Sequence, residues 1–395
     1  MSFNIALTGL NAVTEQLDAI SNNIANAGTT GFKSSRAEFG SIYADSQAMG
    51  VEVLGLTQSI SQGGALVTTG RSLDLAISGG GFFVTKASNG DVNYTRAGVF
   101  GADKSNYLVN VSGQRLQGYP VDAAGNLLVG AVGDLQLQSA NLPAKATDAL
   151  AFVANLDSNE SVPAVGPFDP ANVDTYNATY TTKVFDSQGK EHTLTQYFVK
   201  TADNTWDAYY YADGGSVGGP QALTFATNGS LATPVGEVTV GFPLAGVDPM
   251  SIAIDYSGTS QYGSDFVVTT NRATGYSAGE QTGLAVEKDG MVYANYSNGQ
   301  RMLQGQVVLA NFTNPGGLRN VNGTAWSETS DSGAALVGAP GVGMFGELSA
   351  GTLESSNVDL TQQLVGLMEG QRNYQANTKV LSTDKELTQV LFGAI

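Results

Sequence analysis

Few side chains in this sequence could carry out covalent or metal chemistry. Its 395 residues include no cysteine and a single histidine, His192. Without thiolates the chain cannot form disulfides, zinc–thiolate sites or iron–sulfur sites, and one histidine is too few for a His-rich metal cage. His192 falls in a run of alternating apolar and polar residues, so we interpret it as a surface histidine on a strand.

Carboxylates are the remaining candidates for catalysis. Two acidic pairs could be imagined as general acid and base: Asp157 with Glu160, and Asp203 with Asp207. Because the formal net charge is -17, we interpret such scattered acids as solvated surface. The glycine-rich stretches at 28–33 and 79–81 lack the spacing of phosphate-binding loops. The sequence therefore predicts a protein that is not an enzyme and that needs no cofactor or metal.

Length, composition and charge exclude further classes of protein. The length predicts two to three domains, and 42% hydrophobic residues suffice for a packed core. The acidic charge disfavours a nucleic-acid binder, which needs a basic surface. No stretch approaches the roughly 20 apolar residues of a membrane span. The N-terminus lacks the basic and apolar regions of a cleavable signal peptide, which predicts a protein that keeps its N-terminus.

Both ends of the chain predict helices. None of the 11 prolines falls before Pro120 or after Pro340, so the strongest helix breaker is absent from the ends. In the first 27 residues apolar side chains recur at steps of 3 and 4, typical of a heptad stripe: Phe3, Ala6, Leu10, Val13, Leu17, Ile20 and Ile24. The C-terminal stripe consists of Leu360, Leu364, Leu367, Tyr374 and Leu381. We predict that the two helices pair with each other or with neighbouring chains.

The middle of the chain predicts antiparallel β-domains. Residues 180–184 and 192–198 alternate on either side of the turn Asp186–Gly189, which is typical of a hairpin. Residues 146–276 hold 14 acidic and 4 basic residues and therefore ten of the seventeen net negative charges, which favours a solvated domain. The predicted fold class is mainly β, flanked by terminal helices that pair in a coiled-coil-like inner domain.

The most informative motif is non-catalytic. It runs from Asn22 to Lys33 and places three amide side chains, Asn22, Asn23 and Asn26, at the end of the first helix. Asparagine is poor inside helices and favourable at their ends, while Gly28 and Gly31 allow the positive φ of an abrupt exit. On its own this pattern predicts a helix C-terminus with polar decoration.

Together with motifs elsewhere, this segment resembles the bacterial flagellar rod and hook proteins. The N-terminal match is Asn22-Asn23-Ile24-Ala25-Asn26 with Thr30-Gly31-Phe32-Lys33. The C-terminal match has two segments. The first runs from Leu353 through Asn357 to Leu360, and the second runs from Gln371 and Arg372 to Asn377. Residues 73–83 and 94–98 are also similar to that family. The sequence departs from it at Met368-Glu369-Gly370, where an apolar residue and no glycine are expected, and in its last five residues.

The resemblance implies a layered subunit. Residues 1–28 with 358–395 would form the helical inner tube, and 29–70 with 325–357 an extended connector. Residues 71–145 with 277–324 would form a middle β-domain, and 146–276 an outer one. The implied self-assembly residues are Leu10, Val13, Leu17, Ile20, Ile24, Leu360, Leu364, Leu367, Tyr374 and Leu381. The implied signature residues are Asn22, Asn23, Asn26, Gly31, Phe32, Asn357, Gln371, Arg372 and Asn377, of which the first five would shape the joint between helix and connector.

The resemblance also implies function and partners. The length and the large insert favour the hook, a curved and bendable tube that transmits torque and serves as an export channel. The implied partners are further copies of the chain, the distal rod protein, the hook cap, the hook–filament junction protein and the type III export apparatus. Nucleic acid and membrane are not among them. The implied location is extracellular, on the flagellum.

Three alternatives remain open at this point. A distal rod protein would share the ends but be shorter and lack the insert. A secreted β-rich adhesin could share the acidic, cysteine-free composition but would not need matched helices. A carbohydrate-active protein would need acids and aromatic residues together, and the one dense aromatic cluster is Trp206, Tyr209, Tyr210 and Tyr211.

Overall fold

The computed structural model describes residues 2–44, 47–122, 125–138, 141–244 and 246–393, without the side chains of residues 2, 44, 242 and 391–393. The departure in the last five residues therefore falls outside the described side chains. The chain divides into two compact units. The first consists of Met1–Ser139, Gly283–Asn295 and Arg301–Ile395, and the second of Ala140–Thr282 and Tyr296–Gln300.

Two long helices lie at the ends of the chain, as predicted. Helix α1 spans Ser2–Ala25 and helix α2 spans Leu360–Gly393. Helix α1 ends where the Asn22–Lys33 motif begins to turn, and the Asp359 carboxylate caps α2 by accepting from the N–H groups of Thr361 and Gln362. Neither helix, within the described ranges, is long and apolar enough to cross a lipid bilayer.

Strands fill the chain between the helices, which confirms the mainly β fold class. From the first helix onward the strands are β1 Ser35–Ala44, β2 Gln47–Gln58, β3 Leu66–Thr68, β4 Leu75–Ser78, β5 Phe82–Lys86, β6 Val92–Thr95, β7 Phe100–Ala102, β8 Leu108–Asn110, β9 Arg115–Pro120 and β10 Gly133–Asp134. The stretch 29–70, expected to be extended with some strand, contains the antiparallel β1–β2 hairpin.

The next strands belong to the second unit. They are β11 Ala149–Asp157, β12 Ala178–Phe185, β13 Glu191–Ala202, β14 Thr205–Ala212, β15 Gly215–Phe225, β16 Leu231–Thr233, β17 Val238–Phe242, β18 Met250–Asp255, β19 Ser260–Tyr262 and β20 Val267–Ala273. Strands β12 and β13 pair antiparallel with Val184 opposite His192, which confirms the predicted hairpin.

The last strands lead back to the first unit and to α2. They are β21 Gln281–Val286, β22 Met291–Tyr296, β23 Arg301–Val307, β24 Leu309–Asn311, β25 Arg319–Val321, β26 Ala325–Ser327, β27 Leu336–Gly338, β28 Glu347–Ala350 and β29 Thr352–Glu354. Two of them return to early strands, because β28 pairs with β4 and β29 pairs with β3.

A large sheet organises the first unit, in the order β21-β22-β23-β9-β5-β6-β26-β25. Its alternating apolar residues bury two clusters, one around Phe83, Phe100 and Leu116 and the other around Phe82, Tyr94 and Trp326. Because β5 contributes Phe82 to one cluster and Phe83 to the other, its two faces are both covered. The sheet is therefore a rigid base for the segments that join the helices to it.

The second unit has two sheets around one core. One has the order β17-β18-β11-β19 with β20 beside β11, and the other the order β12-β13-β14-β15-β16. Trp206 and Tyr210 lie in the core, whereas the alternating Tyr209 and Tyr211 lie on the other face. There the Phe168 ring stacks on Tyr209 with centroids 4.2 Å apart. The period of two along β14 explains why neighbouring aromatic residues have different environments.

Candidate assembly site

Three distant motifs meet at one buried cluster of charges in the first unit. The Lys33 ammonium Nζ lies 2.5 Å from Glu354 Oε1, and Arg96 Nη1 lies 3.1 Å from Glu354 Oε2. Lys33 also donates to the Gln62 carbonyl at 2.7 Å, and Arg96 donates to the Gly79 carbonyl at 2.8 Å. All three charged side chains are at least nine-tenths buried. Lys33 follows α1, Arg96 follows strand β6 of the large sheet, and Glu354 precedes α2. The cluster therefore connects these three segments.

The electrostatics favour an ionised Glu354. Burial alone would raise the pKa of this carboxyl group, but Arg96, Lys33 and the Gly64 N–H stabilise its charged form, so its pKa lies below the ordinary value. Burial lowers the pKa of Lys33, and the bond to Glu354 opposes that shift. One carboxylate therefore compensates two buried cations, and each cation depends on it.

Gly31 fits this cluster because it has no side chain. Its φ is +71°, and its N–H donates to the Glu354 carbonyl at 2.8 Å. A Cβ atom at this position would lie 2.5 Å from the Ala97 backbone nitrogen. Backbone conformation and close approach thus both require glycine here.

Two asparagines bridge the segments around the cluster. Asn23 is buried; its Oδ1 accepts from the Ser35 N–H at 2.9 Å, and its Nδ2 donates to the Ser35 carbonyl and to Gln363 Oε1 on α2. Asn357 Oδ1 accepts from the Ser34 N–H at 2.7 Å, and its Nδ2 donates to the Ser59 and Gln62 carbonyls. We name this group of residues the joint: Asn23, Gly31, Lys33, Arg96, Glu354 and Asn357.

The other amides and Phe32 have local roles. Asn26 Nδ2 donates to the Asn22 carbonyl at 2.9 Å, and Asn26 Oδ1 accepts from Thr29 Oγ1 at 3.1 Å, which closes the end of α1. Phe32 is half-buried, and its carbonyl accepts from the Asn357 N–H. Asn22 is exposed. Of the three clustered asparagines, Asn23 is the one whose side chain bonds to α2.

The relatives of the chain can now be compared with this geometry. Family models match along the chain: flagella basal body rod protein (residues 3–33), flagellar hook protein FlgE/F/G D1 domain (76–150), flagellar basal body protein FlaE D2 domain (155–276) and flagellar basal body rod FlgEFG protein C-terminal (349–392). The flagellar hook protein FlgE of Escherichia coli is 39% identical, with 99% of each chain covered. That of Rhizobium meliloti is 36% identical, covering 98% of this chain and 96% of the other.

This chain belongs to the flagellar hook protein family. A solved structure of Helicobacter pylori flagellar hook protein FlgE2 is similar with a TM-score of 0.57. It covers 73% of this chain and all of the other, at 14% identity, so it supports the fold. The family resemblance noted from the motifs is thereby confirmed over the whole length.

In this member of the hook family, α1 meets α2 through glycines. Leu17 Cδ2 lies 2.7 Å from where a Cβ atom of Gly370 would be, and Ile20 Cδ1 lies 3.2 Å from the corresponding point at Gly366. Gly9 on α1 in turn lies against the Asn377 amide. The glycine at 370, which departs from the family pattern, therefore makes room for Leu17.

The predicted α1 stripe faces inward more than the predicted α2 stripe does. Val13 and Ile20 are buried, and Leu10, Leu17 and Ile24 are half-buried. On α2, Leu367 and Leu381 are half-buried, but Leu360, Leu364 and Tyr374 are 48%, 51% and 44% exposed. Gln371 and Arg372 are exposed, and Asn377 is half-buried. Within one chain the surface of α2 that meets α1 includes Gly366, Gly370 and Asn377, whereas three of the five stripe residues remain exposed.

Sequence reasoning missed the charged cluster and misjudged His192. Lys33, Arg96 and Glu354 each stand inside a quoted motif, and a charged residue among glycine and apolar neighbours was the available signal. His192 is not a surface histidine, because the structure buries it between Asp186 and Asp213. In the residues that the structure describes, no group of three or more histidine or carboxylate side chains could hold a metal ion.

Proposed function

We propose that this chain is the structural subunit of the flagellar hook and polymerises into a curved tube through its terminal helices. Support comes from the hook family membership over the whole length and from domain models for rod and hook proteins at both ends. A distal rod protein, an adhesin or a carbohydrate-active protein would not account for the full-length match to hook proteins.

The apolar surface of α2 carries the proposal. Its 34 residues span about 51 Å at 1.5 Å per residue, and α1 with 24 residues is shorter by ten. Large apolar side chains on α2 remain exposed in the single chain: Leu360, Leu364, Val365, Met368, Tyr374, Val380, Leu387 and Val390. At 100° per residue they are spread around the helix, so α1 cannot cover them. Further copies of the chain would.

Repetition of such contacts gives a tube. Head-to-tail contacts that do not close produce an open helical filament, with the helices inside and residues 146–276 outside. We keep the four-part division of the chain as part of this proposal. Helices with uncovered apolar surface are marginal in water, so the parts of α1 and α2 beyond Asn23 and Gln363 would become fully ordered only as subunits stack. Ordering on binding lowers the net affinity, which would keep the free subunit soluble until assembly begins.

The remaining partners follow from the position of a hook. The tube would join the distal rod to the junction with the filament, grow beneath a cap, and receive subunits from the flagellar type III export apparatus. A chain without cysteine cannot become cross-linked on such a route. Torque would pass through the helical tube, and polar contacts between outer domains would allow bending.

Assembly of full-length variants tests the proposal. The wild-type chain in high sulfate should form tubes visible by electron microscopy. Leu364→Asp, which places a charge on the exposed stripe, should keep the wild-type circular dichroism spectrum and form no tubes. Leu17→Asp with Leu364→Asp should also leave the β-units folded and form none. Gln362→Asp adds the same charge at an exposed polar position of the same helix and should assemble normally.

The variants separate the possible outcomes. Tubes from Leu364→Asp at the wild-type concentration would show that the leucine stripe is not between subunits. Loss of tubes from Gln362→Asp as well would mean that added charge, and not loss of apolar contact, prevents assembly.

A further inference from the structure

His192, the single histidine of the chain, is held between two carboxylates in the second unit. Its Nδ1 lies 2.6 Å from Asp213 Oδ2, and its Nε2 lies 3.3 Å from Asp186 Oδ2. The His192 side chain is 6% exposed and that of Asp186 3%. A neutral imidazole has one N–H donor, whereas the imidazolium donates from both nitrogens. The geometry therefore fits the charged ring.

Both carboxylates are fixed by further hydrogen bonds, Asp213 to strand β13 and Asp186 within its own turn. Asp213 Oδ1 accepts from the Thr193 N–H at 2.9 Å. Asp186 Oδ1 accepts from the N–H groups of Gln188 and Lys190, each at 2.9 Å. Neither carboxylate can turn away from the ring without losing these bonds. The Asp213 carboxylate raises the pKa of His192, and burial opposes that shift.

The Asp186 turn rests on a short two-stranded ladder. We name residues 142–145 with 276–279 the root ladder: Leu142 and Gly279 exchange backbone hydrogen bonds of 2.8 and 3.0 Å, and Lys145 and Tyr276 exchange two of 3.0 Å. Gly189, at φ +83°, is so close to the root ladder that a Cβ atom would lie 2.7 Å from Ala144 Cβ.

Phe185 and Thr147 form a second contact, next to that of Gly189 with Ala144. Phe185, which precedes Asp186, donates its N–H to Thr147 Oγ1 and accepts from the Thr147 N–H, both at 2.9 Å. Thr147 follows the root ladder by two residues. The second unit begins at residue 140 and its main segment ends at 282, so the chain enters and leaves that unit through the root ladder.

We propose that the His192 clasp is a proton-controlled latch on the root ladder. With both ring nitrogens protonated, the clasp holds the 186–190 turn against Ala144 and against Ser277, whose Cα would lie 3.3 Å from a Cβ atom at Gly189. Loss of one proton leaves a lone pair facing a carboxylate, and the repulsion releases the turn and loosens the root ladder. The latch thus sets how firmly the two chain segments at the entrance of the second unit are held together.

Other charged groups surround the latch without replacing its partners. Lys190 lies in the Asp186 turn. The exposed pair Lys183–Glu191, at 2.9 Å, lies on β12 and β13, and the exposed pair Lys145–Asp148, at 3.6 Å, lies at the root ladder. Both pairs are solvated and screened, so their contribution changes little over the titration of an imidazole.

The test uses the full-length protein. Because there is one histidine, selective labelling gives one imidazole signal, and its NMR titration gives the pH at which His192 loses its proton. Hydrogen exchange by mass spectrometry, expressed as protection relative to the intrinsic rate at each pH, then follows the root ladder. We expect protection of 142–145 and 276–279 to fall about tenfold, the equivalent of about 1.4 kcal/mol, as the pH rises through the His192 titration. Residues 82–95 of the first unit, which carry β5 and β6, should keep their protection.

Two variants complete the experiment. His192→Gln cannot titrate and should show low protection of the root ladder at every pH. Glu191→Gln removes the neighbouring exposed ion pair and should behave as wild type. The proposal is overturned if root-ladder protection passes through the His192 titration unchanged, if residues 82–95 lose protection equally, or if His192→Gln keeps the wild-type pH profile. Should His192→Gln fail to fold, the wild-type titration decides by itself.

Discussion

The joint and helix α2 differ in how far their side chains are buried within a single chain. At the joint, Lys33, Arg96 and Glu354 are buried and bonded to one another inside a single chain. Along α2, side chains such as Leu387 and Val390 are 64% and 71% exposed. The joint is complete in the isolated subunit, whereas α2 is not. The buried cluster that joins the chain ends is thus separate from the surface that we propose contacts other copies.

The two regions should therefore differ in what a substitution changes. At the joint a lost group leaves buried charges or donors without partners, and the subunit itself loses stability. On α2 a substitution changes a surface that water already covers, so the isolated subunit is unaffected while assembly suffers. The predictions below test this division, beginning with the largest effect on subunit stability.

Removal of the shared carboxylate should cost most. Glu354→Ala leaves two buried cations without compensation, which typically destabilises a protein by about 3–5 kcal/mol. The free energy of unfolding in urea measures the loss. Glu347→Ala removes an exposed carboxylate 3.7 Å from Lys288 and should cost less than about 1 kcal/mol. Equal losses in the two variants would mean that the buried cluster contributes no more than a surface pair.

Acid should act on the same carboxylate. The folded-state pKa of Glu354 is lowered, so its ionisation stabilises the fold above the unfolded-state value of about 4.3. That stability is lost as the pH falls through the folded pKa. Unfolding free energies between pH 7 and 3 should therefore decline more steeply in the wild type than in Glu354→Gln. Parallel pH profiles would contradict a charged Glu354.

Gly31 should tolerate no side chain. Gly31→Ala combines an unfavourable φ with a Cβ atom 2.5 Å from a backbone nitrogen, and should cost more than about 2 kcal/mol. Gly90 also has a positive φ, +94°, but open space around it. Gly90→Ala should cost about 1 kcal/mol, so the difference in thermal unfolding isolates the close approach. An equal loss of stability in the two variants would mean that backbone strain alone, and not the close approach to Ala97, explains the effect at Gly31.

Asn23 and Asn22 form a neighbouring pair for the next comparison. Asn23→Ala leaves the Ser35 N–H and carbonyl without their side-chain partners and should cost about 1–3 kcal/mol. Asn22 is exposed, and Asn22→Ala should change stability by no more than about 0.5 kcal/mol. Chemical denaturation of both variants measures the contrast. Similar losses of stability in the two variants would mean that the hydrogen bonds of Asn23 contribute no more than the exposed side chain of Asn22, contrary to the geometry of the joint.

The sequence predicted the helices, the hairpin around Asp186–Gly189 and the mainly β class because each rests on a local period or turn. Through family resemblance it also predicted that Asn23 and Gly31 shape the joint between helix and connector, and that Asn357 is a signature residue. It could not predict that Lys33, Arg96 and Glu354 meet, because they are up to 321 positions apart and pairing across such distances depends on sheet topology. His192 was misjudged for a different reason: its partners are only 6 and 21 positions away, but they come from two separate turns, and strand alternation does not give the direction of turn side chains.

The sequence also could not predict which face of α2 packs against α1. A stripe of leucines predicts contact, but it does not say with which neighbour. The chain places Gly366 and Gly370 toward Ile20 and Leu17, so large side chains of α1 fill the space left by small ones of α2. Complementarity of size, which a hydrophobic pattern on one helix does not contain, decided which face of α2 is used inside the subunit.

The smallest effect on the subunit should accompany a large effect on the polymer. Leu387→Gln alters a side chain that is 64% exposed, so the unfolding free energy of the isolated subunit should change by no more than about 0.5 kcal/mol. If copies of the chain bury Leu387, the lowest concentration at which tubes form should rise, because each repeated contact loses apolar burial. Sedimentation of assembled material over a dilution series measures that threshold. An unchanged threshold would assign the assembly surface to another part of α2, and a destabilised subunit would show that α2 is completed within a single chain after all.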